Sequence, residues 1–275
     1  MFGDLMRHTL LFLIVVIWPI ASQSQVLAKS SHTIDRTIWP ASVERVGQAT
    51  LLLTLNDAAQ HSDCLLKEAT TFFQKTEHAI ALGESCGLMV VAGKFETTLS
   101  ELEREFFLAH ESFHLLVQMT SGTLAVEYFF VQRPEQGSAD YEIAGKFFLD
   151  ILSYRDICKA IELNRSALTL SVMKYVSNIT IFEWPAEYYA YKYINTRHAT
   201  SPEDYASIRR RFGEFAEYSS GVLVGEWLDE GAPWKDQVYA GESMLDIAAA
   251  RCNTNWPMEK RLLGKVVSMR AFSSR

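Results

Sequence analysis

Ser100-Glu-Leu-Glu-Arg-Glu-Phe-Phe-Leu-Ala-His110-Glu111-Ser112-Phe113-His114-Leu-Leu-Val-Gln-Met119 is the stretch on which the reading of this chain turns. Ser100 followed three residues later by Glu103 is a capping box: the hydroxyl accepts from a free amide of the first turn and Glu103 reaches back to the Ser100 amide. Leu102, Phe106, Ala109 and Phe113 then recur at spacings of three and four, without Gly or Pro before Gly122. This spacing predicts a helix from about residue 101 to 119. Residues four apart stand one above the other on a helix, about 6 Å between their β-carbons. His110 and His114 can therefore converge on one metal ion, at about 2.0–2.1 Å per nitrogen. Glu111 points to a neighbouring part of the cylinder, where its carboxylate can reach a water on that metal without ligating it. A metal acidifies such a water, and Glu111 is placed to take its proton and deliver it to a leaving group. The flanks Phe107-Leu-Ala109 and Leu115-Leu-Val117 carry no charge, as in a helix buried beneath a cleft. Histidine and glutamate buried there need partners, and a cation supplies one.

Working outward, Leu88-Met-Val-Val-Ala92 is an apolar run between Gly87 and Gly93, the punctuation of a buried strand. His78–Leu82 is its expected partner through Gly83–Gly87, and Leu124–Val131 is open to strand or helix. Helical spacing recurs at Leu65, Ala69, Phe72 and Phe73, and at Ile143, Phe147, Leu149 and Ile151. After Ser201-Pro202-Glu203, with Ser as cap and Pro in the first turn, the chain reads as further helices. The expected fold is α+β, helix-rich, with a small sheet preceding the histidine-bearing helix.

Residues 9–20 form an apolar run of signal-peptide length, preceded by Arg7 and broken by Pro19, too short to span a membrane. Cleavage is expected after Ala28, with Ala21-Ser22 as a second choice, leaving residues 29–275 as one domain in a secreted or periplasmic protein without a stable membrane span. Residues 29–87 either join the catalytic domain or cover its cleft. Cys64, Cys86, Cys158 and Cys252 suit an oxidising compartment. Three pairings are possible, with the local one, Cys64–Cys86 and Cys158–Cys252, slightly favoured. Asn164-Arg-Ser166 and Asn178-Ile-Thr180 have the form of glycosylation sequons. Hydrophobic residues make up 48% of the 275, charged residues 21%, and the net charge is −7. That composition excludes a disordered or fibrous chain and argues against a nucleic-acid partner, which needs a basic surface.

The His-Glu-x-x-His motif with a strand before it resembles the zincin metallopeptidases, over about Leu88–Met119 plus a downstream acid. The resemblance implies a zinc cofactor and a peptide or protein substrate. A catalytic zinc keeps three protein ligands and an open position. The metzincin pattern needs a further Gly and His soon after His114, and Leu115–Gly122 has no such His. The gluzincin pattern instead takes a Glu from a second helix, often with Ala three residues later and then Asp or Asn, an acid there orienting a histidine. Glu187 and Ala190 match, whereas Tyr191 stands where the acid belongs. Glu187 is the expected third ligand, with Glu142 and Glu183 as alternatives. Tyr188, Tyr189, Tyr191 and Tyr193 read as packing residues, with one phenol or His198 as a candidate oxyanion donor. The resemblance also implies that Leu88–Ala92 is an edge strand able to pair with substrate. The expected function is an exported zinc peptidase with His110, His114 and Glu187 on the metal and Glu111 as general base. The missing acid after Ala190 motivates the alternative, a non-catalytic binding protein on the same scaffold.

Overall fold

A computed structural model of the chain describes residues 31–40, 47–75, 79–95, 97–119, 133–154, 156–212 and 215–254. The expected signal segment and the undecided stretch 124–131 lie outside the described residues. Strands β1 (Ser31–His32), β2 (Ala49–Leu52), β3 (Ala79–Ser85) and β4 (Leu88–Lys94) form one mixed sheet in the order β1-β2-β4-β3. β2 runs parallel to β4, and the other two pairings are antiparallel. Side chains alternate across the sheet. Leu51 and Val91 enter the main core, while Leu52, Val90 and Ala92 pack on Ala58, Leu65 and Ala69. Those last three belong to helices α1 (Leu55–His61) and α2 (Asp63–Lys75), which cover the other face. The described part of 29–87 is thus built into the sheet layer.

Two expectations about the strands are corrected. β3 runs on to Ser85, so Gly83-Glu84-Ser85 is strand and the turn is only Cys86-Gly87. Both turn residues have positive φ, 52° and 77°, the requirement of a two-residue type I′ hairpin. The Cys64–Cys86 disulfide fastens that turn to α2. Flanked by β2 and β3, β4 is an interior strand, and the edge position belongs to β3.

Helix α3 (Glu101–Phe113) begins with the expected capping box: the Ser100 amide donates to Glu103 at 2.6 Å, and the Glu103 amide to Ser100 Oγ at 3.3 Å. It passes directly into a π turn, His114–Gln118. There follow α4 (Ala139–Ser153), α5 (Ile157–Arg165) and α6 (Leu170–Asn178). α6 enters a second π turn, Ile179–Glu183, and continues without a break as α7 (Trp184–His198). α8 (Pro202–Phe212), α9 (Phe215–Asp229), α10 (Lys235–Tyr239) and α11 (Met244–Arg251) complete the described chain. α3 and α7 pack side by side and antiparallel, Glu105 meeting His198 at one end and His114 meeting Glu183 at the other.

α9 lies close against α7 because two glycines face it. A β-carbon on Gly221 would sit 2.6 Å from the Trp184 ring, and one on Gly225 would sit 2.2 Å from a Tyr188 ring carbon. The Cys158–Cys252 disulfide joins α5 to the turn after α11. Leu149 points to solvent, unlike its fellows Phe147 and Ile151. Two residues from Phe147 is about 200° around a helix, which puts it on the opposite face. Both sequon asparagines are buried, and Asn164 Nδ2 donates to Asp150 and to the Ala160 carbonyl. The fold is a helix-rich α+β arrangement with a small mixed sheet, and no described helix is long and apolar enough to cross a membrane.

Candidate metal centre

Three buried side chains on two antiparallel helices face one point. Nε2 of His110 and Nε2 of His114 are 3.1 Å apart, and Oε2 of Glu183 lies 3.2 Å from the first and 3.5 Å from the second. Bonds of about 2.0–2.1 Å at tetrahedral angles would separate ligand atoms by about 3.3–3.4 Å. The observed triangle therefore has the dimensions of three corners of a tetrahedron around a small cation. His110, His114 and Glu183 form a buried group that could hold a metal ion.

The proton of the His114 ring can be located from its neighbours. Gln118 Nε2 donates to the carbonyls of Ile181 and Phe182, at 3.2 and 2.9 Å. Its Oε1 is then the atom facing His114 Nδ1 at 2.6 Å, and that nitrogen must carry the proton. On His110, Nδ1 lies 3.0 Å from Oε2 of Glu187, an ion-pair contact without the alignment of a hydrogen bond. His114, when neutral, thus presents a bare Nε2 lone pair to His110 and to a carboxylate oxygen. Three such atoms this close need positive charge among them, a metal ion or the second proton that Glu183 and Glu187 favour on His110.

Glu187, the expected third ligand, is not in this triangle. It lies one turn beyond Glu183, against the far nitrogen of His110. Its Oε1 accepts from Tyr205 at 2.7 Å and its Oε2 from Arg209 at 2.8 Å. Glu187 is fully buried, whereas His110, Glu111, His114 and Glu183 keep 5, 8, 5 and 6% exposure. Glu183 is thus the carboxylate of the group that could hold an ion, and Glu187 lies behind His110, 3.0 Å from its Nδ1. Glu142 lies on the exposed face of α4, away from the group.

Electrostatics follow this layout. Burial opposes a charge on His110, but Glu183 and Glu187 outweigh it and raise its pKa to about 10. His114 is raised in the same sense by Glu183 against its burial. Against burial, His114 and His110 hold Glu183 well below the usual carboxylate range, and Arg209 with His110 does the same for Glu187. Glu111 goes the other way: burial pushes it up, and the two histidines only partly offset that. A carboxyl raised toward neutrality suits a residue that must accept and return a proton.

The tyrosines of α7 are engaged elsewhere. Tyr188 donates to Asp229, and the Tyr189 hydroxyl bonds His32 and accepts from the Asp35 amide. Tyr191 packs edge-on against Tyr205, Tyr193 lies beside Tyr189, and His198 pairs with Glu105 at 2.6 Å. Four residues of the site escape sequence reading: Gln118, Tyr205, Arg209 and Tyr218. The Tyr218 ring is half-buried, 6.0 Å from the His110 ring and 4.0 Å beneath the Arg209 guanidinium. Only Gln118 left a signal, being a polar residue one turn after His114 in an apolar flank. A cavity of about 290 Å³, lined by His32, Asp35, Glu105, Tyr193 and Arg197 among others, shares no residue with the metal group. Comparison with protein-family models, curated protein sequences and solved structures finds no match in any of the three.

Proposed function

We propose that the chain is an exported zinc-dependent hydrolase, a peptidase in the manner of the gluzincins. The observation that carries this reading is the triangle of two imidazole nitrogens and one carboxylate oxygen, with Glu111 buried beside it. Two histidines and a carboxylate are a zinc donor set, and the charge state of each follows from its partners. Zinc held there would supply a Lewis acid for a carbonyl oxygen and for water. Glu111 takes a proton from the attacking water and returns it to the departing amine. Glu187 sets its negative charge against Nδ1 of His110, and Arg209 with Tyr205 keeps Glu187 ionised and still.

The sequence Glu183-Trp-Pro-Ala186-Glu187 supports the gluzincin resemblance in a register one turn earlier than the expected one. It contains the Glu, the Ala three residues on, and directly after it an acid, Glu187, where the pattern has Asp or Asn. The non-catalytic alternative thereby loses the missing acid that motivated it. Two disulfides are compatible with an oxidising compartment, which supports export. The test is hydrolysis of an unstructured protein pool by the purified chain. Activity should be abolished by a chelator, restored by zinc and absent from Glu111→Gln. A chelator-insensitive activity, or none at all from zinc-loaded protein, would contradict the proposal.

A further inference from the structure

We propose that Gln118 is a positioning residue for metal capture, acting at once on His114 and on the helix that carries Glu183; this rests on the zinc reading above and deepens it. Gln118 is 1% exposed and lies in the first π turn, while its two acceptors, Ile181 and Phe182, lie in the second. Pro185 bears on the first of those carbonyls. It has no N–H to return to Ile181, four residues back, and a helix with such a gap normally kinks or exposes the oxygen. Here the Gln118 amide donates to that carbonyl across the helix interface. With both N–H groups so oriented, the amide can turn only its oxygen to His114, which fixes the tautomer with Nε2 bare. One side chain thereby couples the register of the two helices to the readiness of a ligand nitrogen. π turns are uncommon and concentrate at functional sites. Two of them meeting through this amide give that tendency a physical cause in this chain.

The two halves of the role separate by substitution. Gln118→Glu keeps an acceptor for His114 and loses the donors to the carbonyls. Gln118→Met loses both, and Gln118→Lys keeps a donor while placing it against His114. Zinc affinity is measured for the full chain by competition with a chromophoric chelator. Circular dichroism and the thermal midpoint of the chelated protein report the fold independently. Gln118→Met should bind zinc about 10–100-fold more weakly, the usual loss for a partner of a ligating histidine. Gln118→Lys should fall at least as far while keeping its fold. Gln118→Glu should lower the thermal midpoint yet retain nearly the wild-type affinity. Wild-type affinity in both the Met and Lys variants would overturn the proposal, as would equal losses in Glu and Met. Should the Met variant fail to fold, the contrast between Lys and Glu decides. A wild-type chain that binds no zinc would overturn the zinc reading itself and this inference with it.

Discussion

Glu183 and Glu187 stand one turn apart, and exchanging either for Gln separates their roles. Glu183→Gln removes the charged donor and should abolish tight zinc binding. Glu187→Gln should keep the metal while weakening it, and should destabilise the fold by about 3–5 kcal/mol, because Arg209 is then buried without its charge partner. Urea unfolding of both variants, alongside zinc titration, checks this. Equal zinc loss in both, with no stability difference, would contradict the assignment. Glu111→Gln should bind zinc normally and lose about 10²–10⁴-fold in turnover. In metal-free protein, His110 has a folded pKa of about 10 against about 6.5 unfolded. Its contribution to stability is therefore fully present below pH ~6.5 and is lost as pH rises toward 10. Chelated protein should accordingly unfold at lower urea at pH 9 than at pH 6.5, and zinc affinity should rise over the same interval as the ring gives up its proton. His110, Glu111 and His114 were legible because a four-residue spacing decides their shared face locally. Glu183 and Glu187 have that same spacing. What distinguishes them, Arg209 and Tyr205, comes from a different helix and leaves no mark near either one.

Among the elements, α7 is held between α3 and α9, and its distance from α9 depends on two missing side chains. Gly225→Ala drives a methyl group into the Tyr188 ring, and Gly221→Ala one into Trp184. Each should cost about 1–3 kcal/mol by overpacking, read as a lowered denaturation midpoint. An unchanged midpoint would mean that α9 is free to shift. Ser100→Ala should cost about 1 kcal/mol by leaving an amide at the start of α3 without its cap. That cap and the apolar spacing of α3 are short-range signals and were read correctly, as was the body of β4, which nevertheless runs on through Gly93 to Lys94. β1 has two residues and β2 four, too few for a periodic pattern, so neither was visible. The interior place of β4 follows from β2, which pairs with it from about forty residues away. The π turns were equally hidden. They depend on hydrogen bonds between helices, as Gln118 shows, and Pro185 taken alone reads as a helix start.

At the scale of the molecule, two disulfides tie the sheet layer and the helical layer each to itself. Cys64–Cys86 closes a separation of 22 residues and Cys158–Cys252 one of 94. Chain-entropy reasoning assigns about 3 and just under 5 kcal/mol to loops of those sizes. The double variant Cys158→Ala, Cys252→Ala should therefore lose more thermal stability than Cys64→Ala, Cys86→Ala, and the reverse order would put the weight of the fold in the hairpin. The even cysteine count and apolar N-terminal run were enough to expect an oxidising destination, while the sequence alone left three pairings open. Composition and helical periodicity made the helix-rich α+β class legible as a whole. The layout of the layers was not, because it rests on contacts between distant elements. The central claim is that His110, His114 and Glu183 together hold one zinc. Metal analysis of purified wild type and Glu183→Ala tests it most directly: about one zinc per chain in the first and background in the second is the expected result. A wild type free of zinc, or a Glu183→Ala variant that keeps its full equivalent, would contradict it.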